Sequence, residues 1–264
     1  MLHPRPLDDG GRGRLRPRRR ARRREAAAPP DALSARLFLF DIDGTLVSAR
    51  GAGRIALTRA LLTTFGTAGA VDTYDFRGKT DPRIVLDLMR AAGVPERDVR
   101  VRLDTCFDAY VRELDTLLDD GARVQLMPGI ADVVRALAAR DDALVGLLTG
   151  NIERGARVKL RSTGLWPLFG VGAFGSDDID RRRLPAVACA RARTQLGHDI
   201  PFERVVIIGD TPLDVDCARA CGAIAVAVAT GHHASHELSA CAPDLLFTDF
   251  SDVTAAVAAL TAGR

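Results

Sequence analysis

The sequence predicts an α/β protein, a doubly wound parallel sheet with a helical domain inserted after its first strand. Short apolar runs such as residues 37–40 and 205–208 alternate along the chain with helical patterns. Strands that are buried on both faces of a parallel sheet have this unbroken apolar pattern. Between residues 50 and 123 apolar residues recur instead at three- and four-residue steps, which is typical of amphipathic helices. The alternation therefore predicts the sheet, and the helical stretch predicts the insertion.

The elements follow one another in an order that one sheet can accommodate. The helical stretch is interrupted at residues 77–82, where Asp81 is expected to cap a new helix that has Pro82 in its first turn. We predict a Rossmann-like core from residues 32–49 and 124–264 and a helical cap domain from residues 50–123. The predicted strands are 36–40, 143–148, 171–174, 205–208, 224–228 and a weak one at 245–247, and the helices of the core follow at 130–140, 152–163, 184–196, 212–220 and from 253.

Positive charge is concentrated at the start of the chain. Residues 1–25 contain ten arginines against three acidic residues, a local charge of +7, whereas the whole chain carries +3. This segment has too few apolar residues to offset the entropy lost on ordering. We predict a disordered Arg-rich tail at residues 1–31. A weak contact between this tail and nucleic acid is the alternative, and no other nucleic-acid binding is expected.

The remaining composition predicts a cytoplasmic protein. No apolar run approaches the ~20 residues of a membrane span, so no membrane partner is expected. The five cysteines lack the spacing of a metal site, and a reducing compartment is the default for such a set. The oligomeric state does not follow from the sequence.

Polar clusters follow four of the predicted strands, and three of these clusters contain candidate site residues. Because the carboxyl ends of parallel strands share one edge of a sheet, where open α/β sheets bind their ligands, these groups are expected to converge on one site. They are Asp41 and Asp43 after the first strand, Thr149, Gly150 and Asn151 after the second, and Asp210 and Asp214 after the fourth.

These clusters resemble the motifs of one enzyme superfamily. Residues 41–45, Asp-Ile-Asp-Gly-Thr, are similar to the first motif of the haloacid dehalogenase-like (HAD) hydrolases, Asp-x-Asp-Gly-Thr. Residues 149–151 resemble the second motif, and residues 209–214, Gly-Asp-Thr-Pro-Leu-Asp, resemble the fourth. The resemblance covers about residues 36–250 and is nearest to phosphoglycolate phosphatase-like members, which have a HAD core and a helical cap of the C1 type.

The resemblance implies a Mg²⁺-dependent phosphatase that acts on a small phosphorylated metabolite. It implies that Asp41 is the nucleophile, which forms an aspartyl-phosphate, and that Asp43 is the general acid and base. The expected ligands of Mg²⁺ are Asp41, Asp43, Asp210 and Asp214, an oxygen set that suits a hard cation. The expected phosphate-binding residues are Thr149, Gly150 and Asn151.

The third motif departs from the family pattern, which has a lysine before the helix that precedes the fourth motif. The chain has 35 arginines and only two lysines, Lys79 and Lys159. The spacing usual in phosphoglycolate phosphatase-like members predicts that Arg183 takes this catalytic role. Lys159 is the competing candidate, and Arg181 and Arg182 are expected to lie on a solvated face.

Two other functions stay open at this point. A phosphotransferase of the β-phosphoglucomutase type uses the same residues, and a non-catalytic regulatory protein is the alternative from a different class. A carbon–halogen dehalogenase is disfavoured, because Asp43 would have no leaving alcohol to protonate. The physiological substrate does not follow from the sequence.

Overall fold

The structure is a computed structural model that describes residues 1–3 and 35–262. Within these residues the chain forms eight strands and nine α-helices. The strands are β1 (Arg36–Phe40), β2 (Val47–Ser48), β3 (Gln125–Leu126), β4 (Ala143–Thr149), β5 (Val171–Phe174), β6 (Val205–Gly209), β7 (Ile224–Val228) and β8 (Leu245–Phe247). The helices are α1 (Ala52–Phe65), α2 (Asp81–Ala91), α3 (Glu96–Leu118), α4 (Ile130–Ala138), α5 (Glu153–Leu160), α6 (Leu184–Leu196), α7 (Pro212–Cys221), α8 (Ser235–Ala240) and α9 (Val253–Thr261).

Six of these strands form one parallel sheet in the order β5-β4-β1-β6-β7-β8. The strand β1 lies at its centre, where Phe40 pairs with Leu147 of β4 and with Ile208 of β6. The chain order reverses at β1, which makes the carboxyl end of β1 the point where such sheets open a crevice. The predicted fold class, a doubly wound parallel α/β sheet, is confirmed.

Apolar clusters cover both faces of the sheet. Side chains that alternate along β1 divide between them, since Phe38 and Phe40 pack with α4 and α9 while Leu37 and Leu39 pack with α6 and α7. All four side chains are at most 1% exposed. Burial on both faces explains why residues 37–40 of β1 are all apolar.

The helices α1, α2 and α3 lie between β2 and β3 and are called the helical insertion below. Their apolar faces form a separate cluster around Leu57, Leu88 and Tyr110. The strands β2 and β3 pair antiparallel where the chain leaves and re-enters the core. This pair is not predicted from the sequence, because two residues are too few to show a period. The predicted domain boundaries at residues 49 and 124 stay a prediction.

Two other predictions from the sequence concern the Arg-rich tail and a membrane span. The Arg-rich tail predicted at residues 1–31 falls, apart from residues 1–3, outside the described residues. Within the part of the chain that the structure describes, no helix has the length and apolar character needed to cross a membrane.

Candidate active site

A cavity of about 310 Å³ opens at the carboxyl edge of the sheet. It is lined by residues that follow β1, β4 and β6 and by residues of the helical insertion. Six of the side chains or backbone groups that the sequence predicts to converge line it: Asp41, Asp43, Thr149, Gly150, Asn151 and Asp210. Asp214 is buried next to them and Arg183 is exposed, and neither lines the cavity.

Three carboxylates, Asp41, Asp210 and Asp214, form what we call the acidic triad. One oxygen of each lies within 4.8 Å of the others, and all three side chains are buried. Asp41 follows β1 directly, and its N–H donates to the carbonyl of Ile208 on β6 (2.9 Å). The pairing of β1 with β6 thus brings Asp41 beside Asp210, which follows β6.

The electrostatics of the triad fit a bound cation. Burial raises the pKa of Asp41 to about 6, against the opposing charge of Arg181. Burial, with the charges of Asp214 and Asp41, also holds the pKa of Asp210 well above its usual range. Buried carboxylates so close together stay ionised only if positive charge is added. A set of carboxylate oxygens suits a hard divalent ion such as Mg²⁺.

The backbone approaches Asp210 so closely that side chains are excluded around it. A Cβ at Gly44, which has a φ of 84°, would lie 2.3 Å from Asp210 Oδ2, and one at Gly231 would lie 1.7 Å from it. The hydroxyl of Thr45 donates to the other oxygen, Oδ1 (3.2 Å). Gly44 and Thr45 of the first motif therefore both serve Asp210: the glycine leaves room for its carboxylate, and the threonine hydroxyl orients it.

Arg181 is the cation of the acidic triad. Its side chain is 8% exposed, and its Nη2 lies 3.2 Å from Asp41 Oδ1 and donates to Asp214 Oδ1. The nearby carboxylates raise its pKa despite burial, so it stays charged. Asp214 also accepts from the N–H and the hydroxyl of Thr211 at Oδ2 (3.0 and 2.7 Å). Because both Asp214 oxygens already have donors, Asp214 anchors Arg181 and the start of α7. We call Asp41, Arg181, Asp210 and Asp214 the Asp41 cluster.

A second cation lies beside Asp43. Lys159 Nζ donates to Asp43 Oδ2 and to Asn151 Oδ1, both at 2.6 Å. The amide nitrogen of Asn151 donates to the same Asp43 oxygen and to the hydroxyl of Thr149, both at 2.8 Å. We call Asp43, Thr149, Asn151 and Lys159 the Asp43 cluster. Its geometry ties the turn after β4 to the turn after β1.

These two clusters at one sheet edge match the sequence motifs in chain order, and comparison with known proteins agrees. The model of the haloacid dehalogenase-like hydrolase family matches residues 38–219. The chain belongs to this family. The matched range contains the two clusters just described and the whole helical insertion.

Curated relatives of this HAD protein are phosphatases. It is 31% identical over 223 residues to the phosphoglycolate phosphatase of Synechococcus elongatus, which covers 84% of this chain and 97% of the relative. It is 26% identical over 232 residues to the probable phosphatase IndB of Dickeya dadantii, covering 85% and 94% of the two chains. The likeness to the Synechococcus elongatus phosphoglycolate phosphatase spans nearly its full length, and this chain is a phosphatase enzyme of the HAD family.

The fold agrees with solved HAD structures. The structure of CbbY from Rhodobacter sphaeroides in complex with phosphate superposes with a TM-score of 0.62 at 20% identity, over 83% of this chain and 96% of that one. At this identity the similarity supports the fold of this HAD phosphatase, with its sheet and helical insertion.

The prediction for Arg183 does not agree with the structure. Its side chain is 72% exposed and lies 3.5 Å from Asp178, away from both clusters. The prediction that Arg181 is solvated is wrong, because its side chain is buried and points toward Asp41 and Asp214. Arg182 does lie at the surface, as predicted, and pairs with Asp216 (2.8 Å). The competing candidate Lys159 also reaches the site, at Asp43.

A helical period in the sequence distinguishes Arg181 from its neighbours. Residues 181–183 form a short 3₁₀ turn that leads into α6, whose buried side chains include Leu184 and Ala188. Arg181 precedes these by three and seven residues and therefore shares their face. Two further residues of this region were missed as site residues, Thr45 and Asp81. The cap of α2 is Thr80, and Asp81 is its first helical residue.

Proposed function

We propose that this HAD phosphatase hydrolyses a small-molecule phosphate monoester with the help of Mg²⁺, through an aspartyl-phosphate on Asp41. The observation that carries the proposal is that Asp41 and Asp210 of the acidic triad line the same cavity as a half-exposed Asp43. A buried carboxylate close to other carboxylates supplies a nucleophile and cation ligands. A second carboxylate two residues away supplies the proton transfer that a leaving alcohol needs.

In the first step a carboxylate oxygen of Asp41 attacks the phosphorus of the ester. The new O–P bond forms as the P–O bond to the alcohol breaks, and the alcohol takes the proton held by Asp43. Asp43 suits this role because its side chain lines the cavity and is 47% exposed. It can therefore reach both the leaving oxygen and solvent.

In the second step a water molecule attacks the phosphorus of the aspartyl-phosphate. Asp43, now a carboxylate, takes a proton from this water, the bond between phosphorus and Asp41 breaks, and inorganic phosphate leaves. The carboxylate of Asp41 and the protonated Asp43 are restored together. Atoms and protons balance over the two steps with water as the only co-reactant.

Positive charge has to be present wherever the phosphoryl group comes close to carboxylates. Mg²⁺, held by Asp41, Asp210 and the backbone carbonyl of Asp43, would neutralise the nucleophile and the phosphoryl oxygens so that two anions can approach each other. Arg181 adds a fixed charge beside Asp41, and Asp214 orients it. Lys159 and Asn151 hold Asp43, while Thr149 and the N–H of Gly150 at the same edge are the groups proposed to bind the phosphoryl oxygens.

The substrate class is inferred from the relatives and from the cavity. Curated relatives that span most of the chain are named phosphoglycolate phosphatase. A volume of about 310 Å³ is near the lower end of the range for small-molecule sites. We therefore infer that 2-phosphoglycolate and phosphate esters of similar size are the first substrates to test.

The test measures phosphate release from p-nitrophenyl phosphate and from 2-phosphoglycolate, with Mg²⁺ and after treatment with EDTA. We expect turnover with Mg²⁺, its loss in EDTA and its return when Mg²⁺ is added in excess. Binding to the folded state also predicts that Mg²⁺ raises the melting temperature, and that this rise is lost in Asp210→Asn. Asp216→Asn, which changes a surface acid on the following helix α7, is the matched control.

Two outcomes would contradict the proposal separately. Undiminished turnover in EDTA would remove the metal from the mechanism. Failure of the Mg²⁺-loaded enzyme to hydrolyse any member of a panel of phosphorylated metabolites would remove the function.

A further inference from the structure

The start of helix α2 is attached to the turn that carries the phosphate-binding groups. The N–H of Asp81 donates to the carbonyl of Gly150 (2.7 Å), and the N–H of Ile152 donates to Asp81 Oδ2 (2.9 Å). Beside them the hydroxyl of Thr80 donates to the carbonyl of Ile179 (2.8 Å). Thr80 and Asp81 are buried. These three bonds fix the helical insertion to the loops after β4 and β5.

The two backbones touch at this point, so the attachment leaves no room for water. A Cβ at Gly150 would lie 2.0 Å from the carbonyl oxygen of Lys79. A Cβ at Gly175 would lie 3.2 Å from Thr80 Cβ. The glycine of the second motif is therefore required by the approach of the insertion, in addition to any role of its N–H toward phosphate.

The attachment buries a charge that its hydrogen bonds do not require. An uncharged acceptor would serve the N–H of Ile152 equally well. Burial nevertheless encloses the carboxyl of Asp81 and raises its pKa to about 6, and the largest opposing influence is the charge of Lys159. The charge of Lys159 therefore favours the ionised form of the Asp81 carboxyl.

Residues from all three helices of the insertion line the cavity together with Lys159. Its Nζ lies 3.4 Å from the position of a Cβ at Gly53 on α1, and the hydroxyl of Tyr110 on α3 lies 3.8 Å from the same position. Asp81 supplies the negative charge from α2. The side chain of Lys159 is consequently 5% exposed. Its donors are directed into the Asp43 cluster rather than into solvent.

We propose that Asp81 is a positioning residue that acts through Lys159 and the turn at residues 150–152 to hold Asp43 in place for proton transfer. The inference rests on the proposed function, because it assigns Asp81 a task only if Asp43 moves protons. Lys159 and Asn151 both bind Oδ2 of Asp43. Oδ1 accepts neither of these hydrogen bonds and is left for proton transfer, and removal of the Asp81 carboxylate would let Lys159 and the turn at residues 150–152, and with them Asp43, change position.

The test compares two aryl esters that differ in their need for a proton. Phenol is a poor leaving group and departs with a proton from the general acid, whereas p-nitrophenolate leaves without one. The ratio of kcat/KM for phenyl phosphate to that for p-nitrophenyl phosphate therefore reports on Asp43, since kcat/KM includes steps only up to departure of the alcohol. In Asp81→Asn with Mg²⁺ we expect this ratio to fall about tenfold from the wild-type value, a modest part of what a general acid contributes.

A merely structural role of Asp81 would lower both kcat/KM values together. Asp81→Asn keeps an oxygen that accepts from Ile152, and a melting temperature close to the wild-type value would show that the attachment persists. If this variant is not recovered folded, the ratio in Asp81→Ser decides in the same way. Asp87→Asn is the matched control, because this partly buried acid on α2 bonds to Tyr74 (2.7 Å) and should leave the ratio at its wild-type value.

The outcomes separate the two proposals. Wild-type turnover of both esters with an unchanged ratio in the folded Asp81 variant would overturn the role of Asp81 alone. Lack of turnover of both esters and of the panel of phosphorylated metabolites by the wild-type enzyme with Mg²⁺ would overturn the proposed function and this inference with it. A fall in the ratio for Asp81→Asn that is absent in Asp87→Asn would support the inference.

Discussion

The Asp41 cluster and the Asp43 cluster both pair a carboxylate with an enclosed cation, but they are built from different parts of the molecule. Asp41, Asp210, Asp214 and Arg181 come from β1, β6, α7 and the turn before α6, all of which belong to the sheet and its covering helices. Lys159 of the Asp43 cluster lies on α5, which packs against α3 of the helical insertion. The first cluster is complete without the insertion, whereas the second is closed by it.

The two carboxylates also differ in exposure, in a way that suits their proposed tasks. The side chain of Asp41 is 7% exposed and that of Asp43 is 47% exposed. A nucleophile gains reactivity when solvent is removed from it, provided that fixed charges compensate. A group that exchanges protons with an alcohol and with water has to remain accessible to both.

The largest expected effect on turnover comes from substitution of Asp41, the more buried of the two carboxylates. Asp41→Asn should lower kcat on p-nitrophenyl phosphate by about three orders of magnitude or more, because the amide has the same shape but is a poor nucleophile. The fold should persist, which circular dichroism and the melting temperature would check. Retention of more than about a tenth of the wild-type rate would exclude Asp41 as the nucleophile.

The next effect concerns the cation of the Asp41 cluster. Arg181→Ala should lower kcat by about 100-fold, the size found when one electrostatic stabiliser is removed. It should also lower the free energy of unfolding by about 3–5 kcal/mol, because Asp41 and Asp214 lose a buried partner. Urea unfolding measures this loss.

Arg181→Lys separates catalysis from folding in the same experiment. Lysine keeps the charge but loses the planar fork, so turnover should recover in part while remaining below the wild-type rate. Wild-type turnover in a folded Arg181→Ala variant would show that the buried arginine serves stability alone.

The smallest effect is expected at the neighbouring arginine. Arg183→Ala should leave kcat within about twofold of the wild-type value and change the free energy of unfolding by about 0.5 kcal/mol or less, because the side chain is solvated. Its single ion pair with Asp178 is weak for the same reason. A large loss of turnover in this variant, with Arg181→Ala unaffected, would reverse the assignment of the two arginines.

The parts of the site that the sequence predicts are those fixed by the ends of strands. Asp41 and Asp210 follow apolar runs that read as buried strands, and parallel pairing alone brings them to one edge. The placement of Arg181 depends on the orientation of a short 3₁₀ turn. Counting residues back from the end of α6 does not show which arginine of this turn points inward. The period of buried residues in α6 does indicate Arg181, once the helix is known to start at Leu184.

Contacts between the insertion and the core were harder to predict than either part alone. Asp81 and Ile152 are 71 residues apart, and only the docking of α2 brings them together. In the sequence, capping of a helix is enough to explain Asp81, so nothing there points to its contact with Ile152. Lys159 is a candidate from the sequence because lysine is rare in this chain. Its contact with Asp43 and its burial depend on how distant parts of the chain pack together, which the sequence pattern does not show.

The enclosure of Lys159 has a consequence for protein engineering. Exchange of the insertion between relatives would replace the wall of the cavity that residues of α1, α2 and α3 provide. In this enzyme a donor insertion would also have to supply counterparts of Gly53, Asp81 and Tyr110. Without them water would reach Lys159, and its ammonium would no longer be held at Asp43. A chimaera designed from substrate contacts alone would bind its new ester and transfer the proton poorly.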